Sequence, residues 1–325
     1  MDDWPEGVIH ALQLDGAGGA REVAWDEVLA WRPGCGCLWV HLRLDEPSTR
    51  AYLEGHSGLN DIAIDGLLME ETRPRVLTRA NNLLLTLRGI NLNPGEAPED
   101  MVSLRLWSDG ERVITVRRRR LQSTEDMLAA LRAGDGPDSA TALLVAWLDR
   151  LVQRMSDSIE GFEDAVLGVE EDLLLEDTGS LRATLGRLRK RTIAIRRYLA
   201  PQREALARLA TEPLPWIGEL DRLRLREIAD RQVRLVEAID EVRERAAVSH
   251  DELAARLSEQ LNARMYLLSL VAALFLPLGF FTGLMGINVG GMPGVENENA
   301  FWVVAGGCIV AAVLVLAAFR LRRWL

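Results

Sequence analysis

The sequence predicts an α+β membrane protein: a mixed α/β domain, then a long helical stalk, then two membrane-spanning helices toward the C-terminus. Three observations carry this. Residues 265–285 contain no charged side chain, and a helix through them is about 31 Å long, close to the hydrocarbon thickness of a bilayer. A second apolar run, residues 301–319, follows after a short polar loop. Upstream, strand and helix signals alternate from residue 8 to about 120, whereas from Ser123 every strong signal is helical. The expected division is an α/β domain over 1–135, a helical hairpin and stalk over 136–264, a first span over 265–285, a loop over 286–300, a second span over 301–319 and a tail over 320–325.

Composition narrows the partners. A net charge of -10 over 325 residues argues against nucleic acid and suits a protein that gathers cations. Arg117, Arg118, Arg119 and Arg120 are the exception, and they read as the charged end of a strand rather than as a basic patch. The opening MDDWPEG is acidic and lacks an apolar core, so it is not a secretory signal. Three cysteines give no disulfide framework, and Cys35 and Cys37, one residue apart, are too close for a zinc-knuckle pair. This cysteine usage fits a reducing cytoplasm.

In the first domain, residues 8–14 and 37–44 are short runs of β-formers bounded by glycine or proline. Residues 45–71 read as helices, with Ser57 and Asn60 as cap candidates. Strand signals follow at 75–79, 82–91, 103–107 and 111–117, the last two joined by the turn Ser108-Asp109-Gly110. No phosphate loop, nucleophile elbow or dinucleotide fingerprint is present, so no enzyme activity and no cofactor is expected.

In the helical part, Leu144, Trp147, Leu148, Leu151, Met155, Ile159, Phe162, Val166 and Val169 recur at three-four spacing. The other face is acidic: Asp157, Glu160, Glu163, Asp164, Glu170, Glu171 and Asp172. That face is either solvated and salt-bridged or a loose divalent-cation site, since hard cations take carboxylate oxygens. An arginine-rich helix over 180–209 should pair with it as an antiparallel hairpin. Pro213 and Pro215 then interrupt, with Pro215 suited to the first turn of a new helix. From Trp216 to Met285 the helix pattern is unbroken except for glycines and Pro277. Its stripe of Ile217, Leu220, Ile228, Leu235, Ile239, Val242, Leu253, Leu257 and Leu261 must pack against the hairpin or against copies of itself.

Charge orients the spans. Arg256 and Arg264 precede the first, and Arg320, Arg322 and Arg323 follow the second, while the loop between carries only Glu296 and Glu298. The positive-inside rule places both termini in the cytoplasm and the loop outside. Two helices cannot enclose an aqueous path alone, so transport would need several subunits around an axis. The first span is the better pore liner. Counting back from Asn288 at helical spacing gives Gly286, Gly283, Gly279, Leu276, Ala272, Leu268 or Ser269, Met265 and Asn262. Such a bore, apolar with polar ends, would gate by dewetting. The same small residues also read as packing contacts.

The segment FLPLGFFTGLMGIN followed by VGGMPG, ending a long helix before a final span, resembles the CorA superfamily of divalent-cation transporters. The family's hallmark is a Gly-Met-Asn tripeptide at the outer end of the first span. Gly286-Ile287-Asn288 departs from it and is similar to the ZntB branch, the zinc transporters; the resemblance extends through Asn262, Pro277 and RRYLAPQR at 196–203. It implies a homopentamer in a bacterial inner membrane carrying zinc or other divalent cations. It implies further that Gly286, Ile287 and Asn288 form the ion filter, that Leu268 and Leu276 are narrow apolar points and that Asn262 lies near the inner mouth. Proton-linked import is the mode the branch suggests. No Asp, Glu, His or Lys lies between Met265 and Met285, so a coupled proton needs another route. Glu296 and Glu298 are expected to concentrate cations at the mouth without carrying that coupling. Two alternatives stand: a magnesium or cobalt channel, against which Ile287 weighs, and a membrane-tethered metal sensor or scaffold, which would need neither the stalk-to-filter helix nor the tripeptide.

Overall fold

A computed structural model describes residues 4–70, 73–174, 181–287, 294 and 297–321. The chain divides into two compact units, residues 1–250 and 251–325. The first holds a seven-stranded sheet in the order β2-β1-β3-β7-β6-β5-β4. Its strands are β1 (Val8–Leu14), β2 (Ala20–Glu22), β3 (Leu38–Arg43), β4 (Arg75–Arg79), β5 (Asn82–Gly89), β6 (Val102–Ser108) and β7 (Arg112–Arg117). Only β3 and β7 run parallel; the other neighbours are antiparallel.

Helices cover both faces, which is why the central strands read as near-continuous apolar runs. Leu38, Val40 and Leu42 of β3 pack on the side of α1 (Trp25–Ala30), α2 (Pro47–Gly55) and α3 (Asp61–Leu68), with Tyr52, Leu53, Ile64 and Leu67. Trp39 points the other way and meets Trp147 edge-on at 5.1 Å. Trp147 belongs to α5 (Ala140–Leu174), which follows α4 (Gln122–Ala133). Thr115 of β7 accepts from Trp39 Nε1 and bonds His41 Nδ1, each at 2.8 Å.

Local chemistry explains the boundaries. Asn60 caps α3, its side chain accepting from the Ala63 N–H at 2.9 Å. Ser57 does not start a helix: its hydroxyl donates to the Leu53 carbonyl and accepts from the Leu59 N–H, closing α2 instead. Sequence reading misses β2 and α1, which are too short to develop a period. The Ser108-Asp109-Gly110 turn forms, with Asp109 Oδ1 accepting from the Arg112 N–H at 2.6 Å and Gly110 at φ +97°. The four consecutive arginines are ion-paired, to Glu125, Asp45, Glu96 and Glu125 in turn.

The helix α6 (Leu181–Thr211) runs antiparallel to α5, as the contacts Met155–Gln202 and Phe162–Arg191 require. The next helix, α7 (Glu219–Met285), starts later than expected. Pro215 is not its first turn, because Trp216 is held outside: its Nε1 donates to the Asn81 carbonyl and its own carbonyl accepts from Thr141. Leu220, expected in the apolar stripe, is exposed; Leu225 is buried, along with Ile228, Leu235, Ile239 and Val242. Arg196 pairs with Asp240 at 2.5 Å and Arg245 with Glu170 at 2.6 Å, tying α6 and α5 to α7. Gln202 is fully buried; its Oε1 accepts from the Arg88 N–H and its Nε2 reaches Gln232. The RRYLAPQR segment thus builds a junction of sheet and helices.

Candidate ion pathway

The second unit holds the C-terminal part of α7 and α8 (Ala300–Leu321). Both helices are long and apolar enough to cross a membrane, and their apolar windows have nothing buried. Water cannot be the solvent of so much bare apolar surface, so lipid or further copies must cover it.

One face of α7 is turned toward α8. Leu274, Pro277, Leu278, Phe281 and Met285 line an apolar cleft of about 540 Å³ with Val304, Gly307, Cys308 and Ala311 of α8. The imino ring of Pro277, which cannot continue the helix bonding, therefore faces the neighbouring helix. At about 100° per residue, these positions centre about half a turn from Met265, Leu268, Ser269, Ala272, Leu276, Gly279 and Gly283. The sequence-derived pore face is thus the face turned away from α8. Met265 is 66% and Leu276 70% exposed, and Asn262, Ser269, Gly279 and Gly283 are exposed as well. Thr282 does not offer its hydroxyl outward, since it donates to the Leu278 carbonyl at 2.9 Å.

The helix ends at the tripeptide. The Gly286 N–H donates to the Thr282 and Gly283 carbonyls at 3.0 and 3.1 Å, and the Ile287 N–H to Leu284 at 3.4 Å, a tightened last turn. Gly286 and Ile287 are exposed. Asn288 and Glu296 lie outside the described residues; Glu298 is exposed just before α8.

A Cβ at Gly279 or Gly283 would meet nothing within 4 Å. Glycine inside a helix costs up to about 1 kcal/mol relative to alanine, and no contact among the described residues explains that cost.

The acidic face of α5 forms no cluster: among the described residues, no three His, Cys, Asp or Glu side chains come together to hold a metal. Asp157 accepts from Gln153 at 3.0 Å. Glu170 is bonded to the Arg245 guanidinium, which holds its carboxyl below the usual range. Glu160, Asp164 and Glu171 are exposed and Glu163 half-buried along the same helix. Burial pushes the Cys37 thiol up to about 12, a poor start for a thiolate ligand. The α8-facing residues escaped sequence reading because nothing in a linear pattern says which side of one span another span takes.

Comparisons with known proteins agree on the family. The family described as CorA-like Mg2+ transporter protein matches residues 35–323. The chain is 40% identical over 326 residues to the divalent cation transporter CmaX of Pseudomonas aeruginosa, covering 98% of this chain and 97% of that one. It is 36% identical over 320 residues to the zinc transport protein ZntB of Yersinia enterocolitica, covering 98% and 96%. A solved structure of full-length CmaX superposes with a TM-score of 0.87 at 38% identity, over 98% of this chain and 100% of that one. With near-complete coverage on both sides, this chain belongs to the CorA-like Mg2+ transporter protein family.

Proposed function

We propose that the chain is a divalent-cation transporter with zinc as its cargo, working as a homopentamer in a bacterial inner membrane with both termini cytoplasmic. One observation carries the reading: among the described residues the face of α7 opposite α8 is unpartnered and rich in small residues, and in sequence it leads to Gly286-Ile287-Asn288. Five such faces around an axis make a bore that is apolar along Met265, Leu268, Ala272 and Leu276 and polar at Asn262 and Asn288. The mid-helix glycines then have a reason, as the close-approach points between copies. An asparagine ring at the outer end offers neutral amide oxygens to a hydrated ion, which hold it without trapping it. No resident cofactor is needed, because the ion is the substrate. Relatives named as zinc and divalent cation transporters support the cargo class.

The test is flux into proteoliposomes, zinc against magnesium, with and without a pH gradient, comparing wild type with Asn288→Ala. Zinc uptake that exceeds magnesium uptake and falls in the variant supports the reading. Magnesium preference would make the chain a magnesium channel, as the family description suggests, and no flux at all would make the hairpin a tether.

A further inference from the structure

A cavity of about 310 Å³ opens in the first unit where β5 ends, β6 begins and β7 ends. At its base lies Arg105 of β6, 1% exposed. Its Nη2 donates to the carbonyls of Met69 at 3.0 Å and Glu70 at 3.4 Å, just past the end of α3. Among the described residues, its Nε and Nη1 have no hydrogen-bond partner. Burial, with Arg88 and Arg118 nearby, pushes the guanidinium down to about 10, which leaves it charged at neutral pH. A buried charge with unspent N–H groups is strongly unfavourable unless a counter-ion completes it.

Among the described residues, Arg88, Arg118, Arg119 and Arg197 join Arg105 around the cavity, with Glu70, Glu99 and Asp100. Arg88 Nη1 donates to the Met101 carbonyl at 2.8 Å. Glu99 is already engaged by Arg191 at 3.0 Å. Arg88 and Arg197 stack on the Tyr198 ring, at 4.8 and 4.7 Å from its centre. Arg118 and Arg119 stand at the rim, half-exposed, in pairs with Asp45 at 3.6 Å and Glu96 at 3.1 Å. Exposed pairs of this kind cost little to exchange for another acceptor.

We propose that this cavity is a binding site for a phosphate-type oxyanion, either inorganic phosphate or the phosphate group of a small phosphomonoester. Guanidinium groups arrive from β5, β6, the segment after β7 and α6, so donors surround the space on several sides. A planar carboxylate cannot use them all, whereas a tetrahedral dianion can. The volume exceeds that of one phosphate and leaves room for a small organic group beside Tyr198. Bound there, the anion would bridge the sheet to α6.

The test uses the full chain in lipid nanodiscs without zinc, following thermal unfolding in sodium phosphate, in ribose 5-phosphate and in sodium chloride at equal ionic strength. A saturable rise in Tm with phosphate that chloride does not reproduce is the expected result. A larger rise at equal concentration with ribose 5-phosphate assigns the site to phosphomonoesters, and an equal or smaller one assigns it to inorganic phosphate. Arg105→Met should lose the phosphate response, read against its own Tm in phosphate-free buffer, because the change removes both a buried charge and the donor to the Met69 and Glu70 carbonyls. Arg119→Ala, at the exposed rim, folds independently of that buried change and should weaken phosphate binding about tenfold by calorimetry. No saturable response in wild type, an equal response to chloride, or a response unchanged in both variants overturns the proposal.

Discussion

Gly279→Ala separates what the chain needs from what the assembly needs. Residue 279 lies inside α7, and beyond its own helix backbone an added methyl meets nothing within 4 Å among the described residues. Helix propensity alone therefore favours alanine by up to about 1 kcal/mol. If the face turned from α8 packs closely around an axis, the methyl instead enters a tight contact, where overpacking costs about 1–3 kcal/mol. The helix term acts equally on free and assembled subunits, so each subunit contact loses about 1–3 kcal/mol, roughly fivefold to a hundredfold in the association constant. Light scattering in detergent across a dilution series reads the assembly, and zinc flux in proteoliposomes reads the pathway. The expected outcome is unchanged helicity by circular dichroism, earlier dissociation on dilution and lower flux. Unchanged assembly and flux would refute the close-approach role, because the intrachain effect can only stabilise.

Three further outcomes are expected. Changing both Glu296→Gln and Glu298→Gln should lower uptake at limiting zinc while leaving its pH dependence intact at saturating zinc; loss of that pH dependence would place the coupling on these acids. His41 is buried, and desolvation, with Arg117 and His10 adding to it, holds its pKa well below the ordinary 6.5. The unfolded chain therefore takes up a proton that the folded chain refuses, and stability is full above 6.5 and falls as pH drops below it. His41→Gln should remove up to about 1.4 kcal/mol per pH unit of that slope, as measured by thermal unfolding between pH 6.5 and 5; an identical slope in both proteins would contradict it. Gly110→Ala combines a left-handed φ of +97° with a Cβ placed 2.5 Å from Trp216 Cγ. It should cost about 2–4 kcal/mol, visible as a lower Tm of the full chain, and a wild-type Tm would show that Trp216 yields freely.

Much of this architecture is legible in the residues because its signals are long. An uncharged run through 265–285, sustained three-four spacing in α5 and strongly β-forming runs each reflect many residues obeying one period. Where a feature depends on few residues, reading fails. The three-residue β2 and six-residue α1 have no period to show, and Pro215, well suited to a first helical turn, loses to the anchoring of Trp216 on Asn81. Arg105 looks in sequence like one polar residue in an alternating strand, and only the sheet's packing strips it of solvent and leaves its Nε and Nη1 without a partner among the described residues.

The membrane segment divides the same way. Sequence by itself determined the two long apolar runs, the tripeptide at the end of the first and the set of residues sharing one face, since helix geometry makes a face from spacing alone. Which face α8 would occupy, leaving the other open, was decided only by tertiary structure. Two apolar helices attract each other through shape rather than through any pattern of charge or polarity. The choice therefore rests on how Leu274, Pro277, Leu278 and Phe281 face Gly307, Cys308 and Ala311 across the apolar cleft, and such an arrangement has no period to read.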